Sequence, residues 1–395
     1  MLTERLKKEL TEVYAKGLRR TVAGLRFKTA VRAEDGSGRE YMVFASNNYL
    51  GLTHEPEVMQ AARGAVCWGT GSTGSRLTTG AAFATGELER ELAEFKHAEK
   101  ALVFNTGYMT NLGVLYALVK PGDVVFSDEL NHASIIDGCR IARAKVAVYR
   151  HNDIQHLEEL LKTTPVTGER FIVTDGVFSM DGDIVSLPQL VELKEKYNAC
   201  LIVDDAHAVG VIGADGSGTA AHYNLQGRID VQIGTLSKAL AAEGGYVAAN
   251  STIIEYLINK SRPFIFSTAL PAMVTASALA ALRLLRKQPQ KYLGKLNANT
   301  ALMRRLLKEE GLDVIDGVTP VVPVLVGSTQ TTMRFMAALM DAGIMLSGIR
   351  PPTVPEGTSR LRVTVTAAHT AEEIELAART MGKIWRQLNE DMKEG

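Results

Sequence analysis

Two stretches decide the fold: Leu201-Ile202-Val203-Asp204-Asp205-Ala206-His207 and Val231-Gln232-Ile233-Gly234-Thr235-Leu236-Ser237-Lys238. In each, a short apolar run stops abruptly at acids, a histidine or a lysine. A run of three to five continuously apolar residues is what a strand buried on both faces of a parallel sheet requires. Four more such runs precede these two: Ala101–Phe104, Val124–Phe126, Val146–Tyr149 and Phe171–Val173. Helix-length segments separate several of them, including Asp153 to Lys162 and Ser186 to Tyr197. Alternation of this kind predicts an α/β domain with a mostly parallel central sheet. Ligands of such sheets sit at the carboxyl ends of the strands, so the polar residues that end each run are where chemistry is expected.

Outward from this centre the chain changes character. Lys287-Gln288-Pro289-Gln290-Lys291 reads as a break within or after a long helix. Beyond it lie the apolar run Val321–Val326, a Pro/Gly-rich segment from Ile349 to Thr358, and Arg360-Leu361-Arg362-Val363-Thr364-Val365. The alternation of that last run predicts a strand with one solvated or ligand-facing side. Three regions follow: an N-terminal helix and arm over 1–45, a large domain over 46–285, and a smaller C-terminal α+β domain over 286–395. At the start, Leu2, Leu6, Leu10 and Val13 share one helical face, which predicts an amphipathic helix that docks on something.

Composition narrows the function. The chain has 395 residues, with 44 Lys plus Arg against 44 Asp plus Glu, and this neutrality lacks the footprint of a general nucleic-acid binder. Three scattered cysteines, Cys67, Cys139 and Cys200, show no zinc spacing or disulfide framework, so no metal is expected and a reduced, cytoplasmic setting is. The most apolar later stretch, Ala272 to Leu282, is too short to span a membrane. Gly69-Thr70-Gly71-Ser72-Thr73-Gly74 matches a dinucleotide fingerprint, but the segment before it reads as helix rather than strand, which predicts a glycine-rich loop instead. No Walker A, HExxH or GxSxG pattern occurs.

The run ends supply a coherent set. After Phe104, Asn105-Thr106-Gly107-Tyr108 forms a turn into an apolar helix, whose free N–H groups and dipole favour a phosphate. Asp204 closes one central run and Lys238 follows another. Pyridoxal phosphate requires a lysine for its Schiff base, an acid for its pyridinium nitrogen and a phosphate cup. Lys238, Asp204 and the Gly107 turn provide one of each.

With these residues in view, the chain resembles the α-oxoamine synthases, a family of fold-type I pyridoxal phosphate-dependent transferases. The resemblance rests on Ser46–Leu52 (SNNYLGL), Asn131-His132-Ala133-Ser134, Asp175–Gly182 (DGVFSMDG), Asp204–His207, Gly234–Lys238 and Arg360–Arg362. It implies that Lys238 holds the cofactor and removes the α-proton, that Asp204 pairs with the pyridinium nitrogen, and that His132 stacks on the ring. It further implies that His207 and Ser179 hydrogen-bond the phenolic oxygen, while Gly107, Tyr108 and Thr235 cup the phosphate. Thr268 would complete that cup from a partner subunit, making a homodimer with its active site at the interface. Arg362, assisted by Asn47, would bind the substrate carboxylate.

Within the family, Gly71–Gly80, Tyr149–Asp153 and Ile349–Val354 are most similar to the branch that condenses L-alanine with pimeloyl-CoA, or a pimeloyl carrier protein. That reaction releases CO2 and thiol and yields 8-amino-7-oxononanoate on the route to biotin. The branch that acylates glycine from acetyl-CoA is the alternative, because admitting or refusing one methyl group is worth only about 1–3 kcal/mol. An aminotransferase or lyase on the same fold would share Lys238 and Asp204 but not the His132 and Arg360–Arg362 contexts together. Family members commonly have Gly at the position of Ala241, and Ser or Gly at that of Ala208.

Overall fold

All six apolar runs are strands of one seven-stranded sheet in the computed structural model, which describes residues 1–15, 19–20, 22–143 and 145–394. They are β1 (Lys100–Phe104), β2 (Val124–Asp128), β3 (Lys145–Tyr149), β4 (Arg170–Asp175), β5 (Ala199–Asp204) and β6 (Val231–Thr235). The seventh, β7 (Gly245–Ala249), was not foreseen. The spatial order is β1-β7-β6-β5-β4-β2-β3. Strands β2 to β6 pair in parallel, and β7 runs antiparallel to both β1 and β6. The carboxyl ends of the other six therefore share one edge, and β7 begins there.

Burial on both faces explains the continuous apolar runs. Val125, Phe171, Val173, Ile202 and Ile233 pack with Val114, Leu115 and Ile254. Their neighbours Val124, Phe126, Ile172, Leu201 and Val203 pack with Leu157, Leu190 and Val191. Each fully buried aliphatic side chain contributes about 1.5–3 kcal/mol of transfer free energy. Two helices on these faces point their N-termini at the shared edge. Helix α1 (Gly107–Leu118) is capped by the Thr106 hydroxyl, which accepts the Met109 N–H at 3.0 Å. Helix α2 (Ala133–Ala142) is capped by the His132 ring, whose Nδ1 accepts the Ser134 N–H at 3.2 Å.

The expected break falls at Gln288, between helices Ala272–Lys287 and Pro289–Glu309. Beyond it, strands Val321–Gly327, Ser359–Thr364 and Ser347–Ile349 form an antiparallel sheet with 359–364 in the middle. That strand is buried along its whole length, so the solvated side allowed for it is absent. Its core continues through Met303, Phe335 and Ile374 to Met42 and Phe44 near the N-terminus. The 1–45 region is more than a helix and arm: Leu25–Phe27, Arg32–Asp35 and Glu40–Val43 form a sheet joined by Ile344–Met345. The first helix, Leu2–Ala15, has no buried residue, and Leu2, Leu6 and Leu10 are exposed. Gly69 follows a helix and a short 3-10 turn rather than a strand, in keeping with a loop. Among the described residues no helix is long and apolar enough to cross a membrane, and no cluster of metal-ligating side chains occurs.

Candidate active site

Strand register sets the neighbours at the shared edge. Asp175 lies opposite Asp204, Asp204 opposite Ile233, Thr235 opposite Gly245 and Gly245 opposite Phe104. The segments leaving β1, β4, β5 and β6 thus gather around the entrance to β7. A Cβ on Gly245 would fall 2.6 Å from the Gly107 Cα and 2.3 Å from the Thr110 hydroxyl oxygen, so glycine is what allows β7 to start against α1. The N–H groups of Gly107 and Tyr108 have no acceptor among the described residues, since Thr106 takes Met109 N–H and Thr110 N–H turns back to Thr106 O. Thr235 stands beside them, its hydroxyl donating to Gly244 O at 2.8 Å.

Burial dominates the titration of the central groups. It lowers the Lys238 ammonium to about 8, aided by Arg362 and opposed by the charges of Asp204 and Asp175. Burial and then the Lys238, Arg362 and His132 charges push His207 well below its ordinary range. His132 is lowered by burial and by Lys238, against Asp204. Asp175, fully buried, is raised well above the carboxylate range by burial and then by Asp204. Asp204 accepts twice, from Asn111 Nδ2 at 2.7 Å and from Ala206 N–H at 2.9 Å. Asn111 also donates to Ser134 Oγ at 2.9 Å, which lies 2.7 Å from His132 Nδ1. With Nδ1 occupied as an acceptor, the neutral His132 ring carries its proton on Nε2.

Arg362 is 5% exposed, yet among the described residues it has no acidic partner. Its guanidinium reaches four neutral oxygens: Ser179 O (2.6 Å), Thr364 Oγ1 (2.9 Å), Asn47 Oδ1 (3.1 Å) and Tyr49 Oη (3.5 Å). Arg360, two residues away, is instead neutralised by Asp181. A buried cation surrounded by neutral dipoles is stable only if an anion joins it or if those dipoles carry its cost.

Residues 39–381 match the model of the aminotransferase class I and II family. The chain belongs to that family. Among curated members, it is 43% identical to the 8-amino-7-oxononanoate synthase of Lysinibacillus sphaericus, over 98% of this chain and 99% of that one. The 8-amino-7-oxononanoate synthase of Geobacter sulfurreducens is 47% identical over the same shares. Among solved structures, a high-resolution structure of SPT with a PLP internal aldimine superposes with a TM-score of 0.92 at 31% identity, covering 97% of both chains.

In this member of the aminotransferase class I and II family the structure gathers Lys238, Asp204, His132, His207, Thr235, Gly107 and Tyr108 at one sheet edge. It brings Asn47 and Ser179 to Arg362, Ser179 through its carbonyl; the Ser179 hydroxyl has no hydrogen-bond partner among the described residues. Thr268 is exposed, and its carbonyl takes the Asn105 amide of its own chain. Three residues without a foreseen role join the site: Tyr49, Asn111 and Asp175. Tyr49 lies in the 46–52 stretch and Asp175 just after an apolar run, but their partners, like that of Asn111, are distant in sequence, and Asn111 carries no local mark at all. A cavity of about 770 Å³ lies elsewhere, lined by Val211, His222, Thr300 and Arg304. There the Arg304 guanidinium is already taken by the carbonyls of Ile315, Thr319 and Val321.

Proposed function

We propose that this chain is a pyridoxal phosphate-dependent acyltransferase of biotin biosynthesis, condensing L-alanine with pimeloyl-CoA or a pimeloyl carrier protein. The products are 8-amino-7-oxononanoate, CO2 and free thiol. The observation that carries the amino-acid half of this reading is Arg362, a buried guanidinium with four neutral acceptors and no acid. An α-carboxylate matches its fork.

The residues fit the cofactor. Gly107 and Tyr108 offer unpaired N–H groups at a helix N-terminus, with Thr235 adjacent, for a phosphate. Asp204 offers a fixed carboxylate for a ring nitrogen, and Lys238 an amine whose lowered pKa favours the nucleophilic free base. Bound there, pyridoxal phosphate supplies a carbonyl that condenses with amines and a ring that accepts the electron pair released at the substrate α-carbon.

The chain's own groups do the rest. Arg362 and Asn47 hold the carboxylate and orient the α-carbon bonds; Arg362 must later release that group as CO2. Lys238 Nζ would accept the α-proton and later return one. Asn111 fixes Asp204, and the Ser134 contact aims His132 with Nε2–H outward. His207, kept neutral, offers a hydrogen bond rather than a second cation beside Lys238. Burial excludes water from these charges and strengthens them.

A homodimer forms part of the reading, with Thr268 of the partner subunit completing the phosphate cup. Support comes from exposed Trp68, Leu77, Phe83 and Phe266, which crowd the region where Ser75 bridges to Thr268. A cytoplasmic setting is proposed with it. The test is a product assay by mass spectrometry. Formation of 8-amino-7-oxononanoate from L-alanine and pimeloyl-CoA supports the reading; acylated glycine from glycine and acetyl-CoA instead would move it to the glycine branch.

A further inference from the structure

The stretch Tyr149-Arg150-His151-Asn152-Asp153 leaves the end of β3 and sets a histidine between two acids. His151 Nδ1 lies 3.0 Å from Asp128 Oδ1, and Nε2 lies 2.9 Å from Asp183 Oδ2. Only an imidazolium donates from both nitrogens. Burial lowers its pKa, but the hydrogen bonds and charges of Asp128 and Asp183 outweigh burial and hold it at about 10. Asn152 reinforces the same tie, its N–H donating to Asp128 Oδ2 and its Nδ2 to Asp183 Oδ2, both at 2.9 Å. The remaining charges nearby are Glu129, which accepts the His151 N–H, and the Arg150–Asp153 pair.

Asp183 sits on the return arm of a hairpin. Val177 bridges to Ile184, Phe178 N–H donates to Asp183 O at 3.0 Å, and Gly182 N–H returns to Phe178 O at 2.8 Å. Phe178 meets the His151 ring edge-on at 4.4 Å. The tip faces the C-terminal sheet: Ser179 O takes Arg362 Nε, Asp181 pairs with Arg360, and Gly182 O accepts the Thr319 hydroxyl. The other Asp183 oxygen, Oδ1, is buried without a partner, so His151 and Asn152 carry the carboxylate.

We propose that His151 is a positioning residue for the amino-acid substrate: held between Asp128 and Asp183, it fixes the Val177–Ile184 hairpin whose tip sets the Arg362 guanidinium. This rests on the reading of Arg362 as the carboxylate site. Without the imidazolium, Asp128 and Asp183 face each other as like charges, each one donor short, and the return arm loosens from β2.

The test uses His151→Gln and the milder Asp183→Asn in the full-length, cofactor-loaded protein. The amino-acid KM is expected to rise about fivefold or more in His151→Gln while the thioester KM stays within about twofold, the size of a lost coupling between contacting groups. Asp183→Asn shifts the amino-acid KM in the same direction by less. In the cofactor-free protein, amide hydrogen exchange of residues 176–184 quickens in His151→Gln while the strands of the central sheet keep their protection. The double variant His151→Gln/Asp183→Asn, a neutral amide pair, recovers part of the amino-acid KM. Unchanged exchange, faster exchange with an unchanged amino-acid KM, or an equal rise in both KM values would each overturn the proposal. A wild-type protein that binds cofactor but no amino acid would overturn the proposed function, and this inference with it; the exchange comparison would still report whether His151 holds the hairpin.

Discussion

The Tyr49 hydroxyl and His207 Nδ1 lie 2.7 Å apart, with Tyr49 wholly buried. Arg362 Nη2 donates to the same hydroxyl oxygen at 3.5 Å, and the hydroxyl lies 3.4 Å from Asn47 Oδ1; the much shorter contact to His207 takes the phenolic proton, which places the imidazole proton on Nε2. One side chain thus joins the guanidinium proposed to bind the substrate carboxylate to the histidine proposed to face the cofactor.

Replacing Tyr49 by Phe removes that junction and strands His207 Nδ1 in a dry place. The expected cost is about 1–3 kcal/mol of stability, the range for an unsatisfied buried polar group. The amino-acid KM should rise several-fold alongside it. Thermal melting and steady-state kinetics check this; a variant matching wild type in both contradicts the bridge.

The two arginines of Arg360-Leu361-Arg362 should separate cleanly. Arg362→Ala is expected to raise the amino-acid KM far more than the thioester KM. Arg360→Ala deprives Asp181 of its partner and should lower the melting temperature more than it shifts either KM. Equal effects of Arg362→Ala on both substrates would argue against carboxylate binding there.

Lys238 makes a pH-dependent prediction for the cofactor-free protein. Its pKa is about 8 in the folded chain and 10.5 as an ordinary side chain. Between those values the unfolded state binds more protons, so stability rises with pH across the window. The burial penalty is full below about pH 8 and fades toward 10.5. Lys238→Met should therefore stabilise the cofactor-free protein at neutral pH, with the gain shrinking across that window, while abolishing turnover of the loaded enzyme. Urea unfolding at several pH values reads this, and a pH-independent difference contradicts it.

Ala241 has φ +56°, the left-handed region, in the turn that closes when its N–H donates to Lys238 O at 3.1 Å. A glycine there would relieve the Cβ clash. Ala241→Gly is expected to raise stability by about 1 kcal/mol, the left-handed penalty less glycine's extra chain entropy. A lower melting temperature would contradict it.

How much of this was legible follows from what each residue does locally. The strands β1 to β6 were readable because burial on two faces demands unbroken apolar runs. Strand β7 was not, since Gly245-Tyr246-Val247-Ala248-Ala249 continues the small-residue stretch that follows Lys238 and holds only two strong strand formers, Tyr246 and Val247. The exposed strand Leu25–Phe27 and the polar Arg32–Asp35 carry no core pattern at all. Lys238, Asp204 and His207 stood out because charge at the end of a buried strand needs a reason. Asn111 did not: its role is a hydrogen bond to Asp204, 93 residues away. The polar face of 359–364 suited solvent or ligand equally until Ser179 and Asp181 were found against it.

The most direct test of the central claim is borohydride reduction of the cofactor-loaded protein followed by peptide mass mapping. The pyridoxyl group is expected on Lys238 and on no other lysine. Label on a different lysine, such as the buried Lys96 that pairs with Asp205, or protein that retains cofactor yet gains no label, would contradict the site.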